Sequence, residues 1–167
     1  MSHKYTFKNT GNSINPSRQQ AAHMHFSSWD NEDKFLYAVY LGTDEILVFE
    51  IDNQNAQAIH RVKMTPGDGP RHLSFHPTKA LVYSINELSN TITVFKQNKQ
   101  NGSLTELQRI KLLQGDLDEK QFASAIKISS DGNFLYAAVR GVNMINAYAI
   151  GETGQLKLID SESVAGN

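Results

Sequence analysis

The chain has 167 residues, a formal net charge of −1, 40% hydrophobic residues and 20% charged residues, a composition typical of a globular protein. The nearly balanced charge argues against a nucleic-acid partner, and no apolar run approaches the roughly 18 residues of a membrane-spanning segment. The absence of cysteine excludes disulfides and thiolate chemistry and, with a polar N-terminus that resembles no signal peptide, favours a cytoplasmic protein.

The N-terminal part of the chain predicts the end of one structural repeat and the beginning of the next. Residues 3–8 are expected to form an outer strand of a preceding repeat, and residues 9–20 are polar and contain glycine, which indicates a loop. The first complete repeat follows, with strands expected at residues 25–29, 34–40, 45–51 and 56–64.

Two further repeats follow with the same order of strands. The second has strands expected at residues 72–75, 81–85, 91–96 and 104–112, and the third at residues 125–129, 134–139, 144–150 and 156–163. In the third repeat, Asp131 and Gly132 favour the positive φ of a tight turn between the first two strands. Residues 134–139 are mostly apolar, which predicts a strand buried on both faces.

Three tyrosines, Tyr37, Tyr83 and Tyr136, define the repeat, because each begins a similar phrase and they lie 46 and 53 residues apart. In each phrase a turn residue stands seven positions after the tyrosine, an isoleucine nine and an aromatic residue twelve. Four-stranded repeats of this length indicate an all-β fold of β-propeller blades, since a β-sandwich needs no internal repeat.

The repeats divide the chain into an outer strand and loop at residues 1–20 and blades at residues 21–66, 67–122 and 123–167. Three blades are fewer than the four to eight of a usual ring, so we expect the chain to be an internal part of a longer propeller protein. Apolar sheet faces should then be exposed at both ends, where the remaining blades or a second copy would associate.

The register of the tyrosines predicts a charged cluster at one end of the propeller. The residues four positions after each tyrosine begin the loop between the second and third strands, and those twelve before it begin the innermost strand. These positions share one face, because strands alternate in direction. The two sets are Leu41, Glu87 and Arg140, and His25, Arg71 and Ser124.

The charged members of this cluster suit acyl or lactone chemistry on an anionic substrate. Arg71 and Arg140 can bind a carboxylate or phosphate, and they can stabilise negative charge on a carbonyl oxygen. Glu87 can orient and deprotonate a water molecule, while His25 can donate or relay a proton. The arginines should lower the pKa of Glu87 and weaken it as a base, but a lactone is an activated ester.

Two histidines, His23 and His25, are spaced so that both would lie on one face of a strand. This spacing suits a pair of metal ligands, but no third ligand stands nearby in the sequence. We therefore expect neither a metal nor another cofactor.

Several phrases together resemble the lactonase family of seven-bladed β-propellers, which contains bacterial 6-phosphogluconolactonases and the fungal carboxymuconate-lactonizing enzyme. The phrases stand at residues 15–19 (NPSRQ), 23–25 (HMH), 41–44 (LGTD), 67–72 (GDGPRH), 75–77 (FHP), 86–88 (NEL), 91–95 (TITVF), 128–136 (ISSDGNFLY) and 140–141 (RG). The similarity covers nearly the whole chain.

The resemblance implies an active site of a histidine, two arginines and a glutamate. On the matching phrases these are His23 or His25, Arg71, Glu87 and Arg140. The sequence departs from the family at two positions near the expected site. Val139 stands where the family usually has asparagine, and Tyr40 where it usually has aspartate.

Three functions are compatible with these residues. The first is hydrolysis of 6-phosphogluconolactone or a similar anionic sugar lactone, and the second is cycloisomerisation of a carboxylated muconate to its lactone. The third is a non-catalytic propeller that binds a partner protein. The charged cluster favours an enzyme, because a protein-binding face should be richer in exposed aromatic residues.

Overall fold

The structure, a computed structural model, describes residues 6–52, 55–115 and 121–164, in which twelve antiparallel strands form three four-stranded sheets. In each sheet the strands lie in chain order. They are β1 (Met24–Trp29), β2 (Phe35–Tyr40), β3 (Glu45–Ile51), β4 (Ala56–Lys63), β5 (Pro70–Phe75), β6 (Leu81–Asn86), β7 (Thr91–Gln97), β8 (Leu104–Lys111), β9 (Phe122–Ile128), β10 (Phe134–Arg140), β11 (Met144–Ile150) and β12 (Leu156–Ser163).

The three sheets are neighbouring propeller blades, which confirms the predicted fold class. Strand β5 contacts both β1 and β9, so the first strand of each sheet is the innermost. The only helix within the described ranges is a 3-10 turn at Leu41–Thr43, between β2 and β3. The described residues contain no helix that is long and apolar enough to cross a membrane.

The prediction of a strand at residues 3–8 is wrong for residues 6–8, which form no strand. Residues 3–5 lie outside the described ranges. An outer strand needs a third strand of its own blade as a partner, and every strand described here belongs to one of the three complete sheets. Instead, Phe7 packs edge-on against Phe49, with ring centroids 4.8 Å apart.

Most of the hydrophobic core lies in two layers, one between each pair of neighbouring blades, and a smaller cluster lies on the outer face of the first blade. Side chains alternate along each strand, so the tyrosine face of one blade packs against the opposite face of the next. Between the first and second blades lie Phe35, Tyr37, Val39, Ile46, Val48, Leu73, Val82 and Phe95. Between the second and third lie Leu81, Tyr83, Ile85, Ile92, Val94, Leu135, Ala137, Val139 and Tyr148.

The repeated tyrosine joins each blade to the next. The hydroxyl of Tyr37 donates to the carbonyl of Gly102 at 2.7 Å, and that of Tyr83 donates to the carbonyl of Gly154 at 3.0 Å. Each glycine lies in the turn between the third and fourth strands of the following blade. A Cβ on Gly102 would lie 2.8 Å from Cγ of Phe35, so this close approach requires glycine.

Tyr136 has no described blade against its face, and it is 43% exposed, whereas Tyr37 and Tyr83 are fully buried. Phe134 and Ile145 on the same face are also exposed. The prediction that residues 134–139 are buried on both faces is therefore wrong for this chain.

The expectation of exposed apolar faces at both ends holds for the Tyr136 face and in part for the outer face of the first blade, where Met24 and Trp29 are exposed. On the outer face of the first blade, Ala38, Tyr40, Leu47 and Phe49 are buried. The N-terminal segment contributes to this burial through Phe7.

We predict that Tyr83→Phe lowers the free energy of unfolding by about 1–2 kcal/mol, because it leaves the carbonyl of Gly154 without its buried donor. Tyr136→Phe is the matched control, and it should change the stability by less than about 0.5 kcal/mol because Tyr136 is exposed. Urea unfolding of both variants measures the difference, and equal destabilisation would contradict the role of the hydrogen bond.

Candidate active site

Each innermost strand contains a β-bulge at the residue twelve positions before the tyrosine of its blade. His25 is the extra residue between two consecutive pairs of the β1–β2 ladder, and Arg71 is its equivalent in the β5–β6 ladder. In the β9–β10 ladder, Ser124 and Ala125 together lie opposite Ala138. A bulge redirects a side chain from the regular alternation, and here it brings His25 and Arg71 toward the same carboxylate.

Glu87 directly follows β6, and its carboxylate is buried, with only 2% of the side chain exposed. Its backbone N–H donates to the carbonyl of Gly69 at 2.7 Å, and that of Leu88 donates to the carbonyl of Asp68 at 3.0 Å. Gly69 has a φ of +58°, and a Cβ there would lie 2.5 Å from Cγ of Leu88. The loop before β5 therefore fixes the position of Glu87.

The carboxylate of Glu87 is surrounded by three arginines and a histidine. Oε2 accepts a hydrogen bond from Nε of Arg71 at 2.7 Å, and Nε2 of His25 lies 4.0 Å away. Oε1 accepts from Nη2 of Arg18 at 2.5 Å and lies 3.3 Å from Nη2 of Arg140. The structure thus brings together Glu87, Arg71, Arg140 and His25, as the register of the tyrosines predicted.

Arg18 is a member of this cluster that the sequence did not predict. It lies in a turn in which Oδ1 of Asn15 accepts hydrogen bonds from the backbone N–H groups of Ser17 and Arg18, both at 3.1 Å. The buried Gln19 donates to the carbonyl of Leu41 at 2.9 Å and holds the turn against the first blade. Residues 15–19 precede the first tyrosine phrase, so the register could not locate them, although the family resemblance includes them.

Phe122 lies beneath two of the arginines. The guanidinium carbon of Arg18 is 5.2 Å from the centroid of the Phe122 ring, and that of Arg140 is 5.9 Å from it. Phe122 begins β9 and pairs with Arg140 in the β9–β10 ladder. Both distances lie within the range of cation–π contacts.

Two histidines form the other side of the cluster. The rings of His25 and His72 lie 5.4 Å apart, and Nη1 of Arg71 lies 3.2 Å from Nδ1 of His72 and donates to the carbonyl of Ser124. Burial and the charge of Arg71 lower the pKa of His72 to about 4. Burial and Arg71 also lower the pKa of His25, although Glu87 opposes this shift. Both imidazoles are therefore mainly neutral near pH 7.

His23 does not lie on the face of β1 that was expected for it. It precedes the strand, is exposed and has a φ of +44°. This left-handed conformation and the bulge at His25 break the alternation that would align the two histidines. Of the two, only His25 is close to Glu87 in the described contacts.

The two residues that depart from the family pattern are both buried, but in different parts of the core. Val139 is 2% exposed and packs between the second and third blades. Tyr40 is 6% exposed and packs on the outer face of the first blade. Each stands one residue before a position at the rim, Arg140 or Leu41.

The charge balance of the cluster determines the ionisation of Glu87. Burial alone would raise the pKa of its carboxyl group, but Arg18, Arg140 and Arg71 more than offset burial and hold the pKa below its ordinary value. Glu87 is therefore an anion at neutral pH. In the described part of the chain, three guanidinium groups are paired with this single carboxylate, so positive charge is in excess.

The blades and the charged cluster at their inner ends define part of a β-propeller with a polar site at its inner strands. Residues 2–167 match the family described as "Lactonase, 7-bladed beta-propeller". The chain therefore belongs to the lactonase family of β-propellers, as the sequence phrases indicated.

Named relatives and solved structures agree with this family. The chain is 36% identical over 170 residues to a 6-phosphogluconolactonase of Formosa agariphila, covering 97% of this chain and 47% of that protein. It is 30% identical to a 6-phosphogluconolactonase of Bacillus subtilis, covering 90% of this chain and 43% of the relative. The periplasmic gluconolactonase of Pseudomonas aeruginosa superposes with a TM-score of 0.86 at 30% identity, over 95% of this chain and 46% of that structure. The chain thus spans less than half of the length of these relatives.

We predict that Arg18→Gln raises the pKa of Glu87, because Arg18 is its strongest ion-pair partner. The carboxyl ¹³C chemical shift of Glu87, followed as a function of pH, measures this change. Arg61→Gln is the matched control, since Arg61 also pairs with a buried glutamate, Glu45, outside the cluster. An unchanged pKa in Arg18→Gln would contradict the contact.

We also predict that His72 makes the stability depend on pH between about 6.5 and 4. The unfolded chain, with a histidine pKa of 6.5, binds more protons in this interval than the folded chain, in which the pKa is about 4. The free energy of unfolding should therefore decrease as the pH falls through this interval. Urea unfolding should show a smaller loss for His72→Gln than for the wild type, and equal losses would refute the assignment.

Proposed function

We propose that the chain carries the active site of a lactone hydrolase that acts on an anionic sugar lactone, with 6-phosphogluconolactone as the substrate. The observation that carries this proposal is the buried carboxylate of Glu87, with guanidinium groups on both of its oxygens and a neutral imidazole beside it. The names of the relatives from Formosa agariphila and Bacillus subtilis support the same substrate. The active unit is the complete ring, to which this chain contributes three blades.

The arginines provide binding and charge stabilisation in this proposal. Arg71 and Arg140 reach the carboxylate from the inner strand of the second blade and from the end of β10 in the third. A lactone carbonyl bound beside Arg71 develops negative charge when water attacks, and the guanidinium group of Arg71 stabilises that charge, while Arg140 binds the anionic group of the substrate. Their fixed positions also orient the substrate for attack.

Glu87 and His25 move the proton. Glu87 orients a water molecule and takes one of its protons as the water oxygen bonds to the carbonyl carbon. The tetrahedral intermediate then collapses, the bond between the carbonyl carbon and the ring oxygen breaks, and His25 relays the proton to that oxygen. The lowered pKa makes Glu87 a weak base, which suffices for the activated ester of a lactone.

The runner-up reactions have less support. A muconate cycloisomerase would use the same four residues, but the named relatives favour hydrolysis of a gluconate-type lactone. A purely structural propeller has no need for a buried carboxylate with three cationic partners. The cytoplasmic location stays a prediction, since the Pseudomonas aeruginosa relative is periplasmic.

We predict that Glu87→Gln, made in the protein with the complete ring, lowers kcat for 6-phosphogluconolactone by about 10² or more, the usual contribution of a general base. The amide keeps the size of the side chain but accepts no proton. The release of acid during hydrolysis measures the reaction rate. Arg71→Ala should also lower kcat, because it removes a guanidinium group that stabilises the negative charge developing on the carbonyl oxygen.

Glu45→Gln is the control for Glu87→Gln. Glu45 is also a buried carboxylate, 2.6 Å from Nζ of Lys63 and paired with Arg61, but it lies outside the cluster. This variant should keep nearly the wild-type kcat. Wild-type turnover in Glu87→Gln would refute the assigned role, and an equal loss in both variants would indicate a general effect on folding.

A further inference from the structure

We propose that Arg18 and Arg140, held on the ring of Phe122, form a subsite for the phosphate monoester group of the substrate. This proposal rests on the function proposed above and assigns the binding of phosphate to a pair of arginines other than Arg71. It adds Arg18 as a binding residue and Phe122 as a positioning residue.

The contacts of the three arginines divide them into two groups. Arg71 is engaged by the protein, since it bonds Oε2 of Glu87, donates to the carbonyl of Ser124 and lies against His72, and its side chain is only 18% exposed. Arg18 and Arg140 both approach the other oxygen, Oε1, through Nη2. Their side chains are 38% and 52% exposed, so both can reach a ligand from solvent.

Phe122 sets the distance between these two exposed arginines. Arg18 belongs to the turn before the first blade and Arg140 to the end of β10 in the third blade, yet both guanidinium groups lie within 6 Å of the same ring centroid. The ring covers one side of each cation and limits its rotamers. Two guanidinium groups held beside each other match the oxygens of a phosphate, each offering paired N–H donors.

The charge of the cluster favours a dianion over a monoanion. In the described ranges, Glu87 is the one carboxylate that forms ion pairs with Arg18, Arg71 and Arg140. The two histidines add little charge near pH 7, because burial and Arg71 lower the pKa of both. A phosphate monoester carries nearly two negative charges at this pH and balances the excess.

Binding of two non-reacting probes to the chain tests the subsite. 6-Phosphogluconate and gluconate differ in the phosphate group, and titration calorimetry in phosphate-free buffer measures the Kd of each. Arg18→Gln should weaken the binding of 6-phosphogluconate by roughly 10- to 100-fold, the range for one charge-assisted hydrogen bond, and that of gluconate by less than about threefold. Phe122→Leu should reduce the preference for 6-phosphogluconate over gluconate by a smaller factor than Arg18→Gln, because the two cations remain but are less well oriented.

Arg61→Gln is the matched control, since Arg61 has a similar exposure of 43% and pairs with the buried Glu45. It should leave both Kd values unchanged. An equal loss for both probes in Arg18→Gln, or no binding of 6-phosphogluconate by the wild type, overturns the proposal. Binding of citrate as tight as that of 6-phosphogluconate also overturns it, because the site would then select polycarboxylates equally well.

Kinetics of the complete-ring protein separate this proposal from the function on which it rests. If neither 6-phosphogluconolactone nor gluconolactone is hydrolysed while the preference for 6-phosphogluconate depends on Arg18, the hydrolase function fails and the subsite stands. If hydrolysis occurs and Arg18→Gln keeps the wild-type ratio of kcat/KM for the two lactones, the subsite fails and the function stands.

Discussion

The buried carboxylate of Glu87 is the constraint on which the rest of the site depends. An ionised carboxylate at this level of burial is costly unless cations compensate it, and the compensation comes from three separate parts of the chain. Arg18 belongs to the turn before the first blade, Arg71 to β5 and Arg140 to the end of β10. One side chain therefore fixes the relative positions of the N-terminal turn and the inner ends of two blades.

The repeated tyrosine phrase made most of the fold predictable. The third strands β3 and β11 and the fourth strand β12 have the predicted bounds, and the turn residues Asp44, Asn90 and Asn143 all have positive φ near 50°. These features are local, because a turn residue and an apolar alternation constrain the backbone wherever they occur. The inner strands β5 and β9 begin earlier than predicted, since their bulges hide the alternation.

The site could be predicted only as far as the repeat extends. Glu87 and Arg140 occupy one position of the repeat in successive blades, and His25 and Arg71 occupy another. Counting from the tyrosines was therefore enough to predict that these side chains lie close together. Arg18 lies 69 residues from Glu87 in a segment outside the repeat, and its contact depends on how that turn packs against the first blade. The exposure of Tyr136 could be predicted from the small number of blades but not from strand β10 itself, because burial of a blade face depends on the neighbouring blade.

The hydrogen bonds from tyrosine to glycine give the row of blades a direction. At both junctions between described blades, a hydroxyl on one face meets a turn carbonyl on the opposite face of the neighbouring blade, so the two faces of a blade are complementary and not equivalent. A two-fold symmetric dimer through the Tyr136 face would bring donor to donor and leave each hydroxyl without its carbonyl. The described blades therefore associate head-to-tail, the type of contact that a closed ring of blades requires.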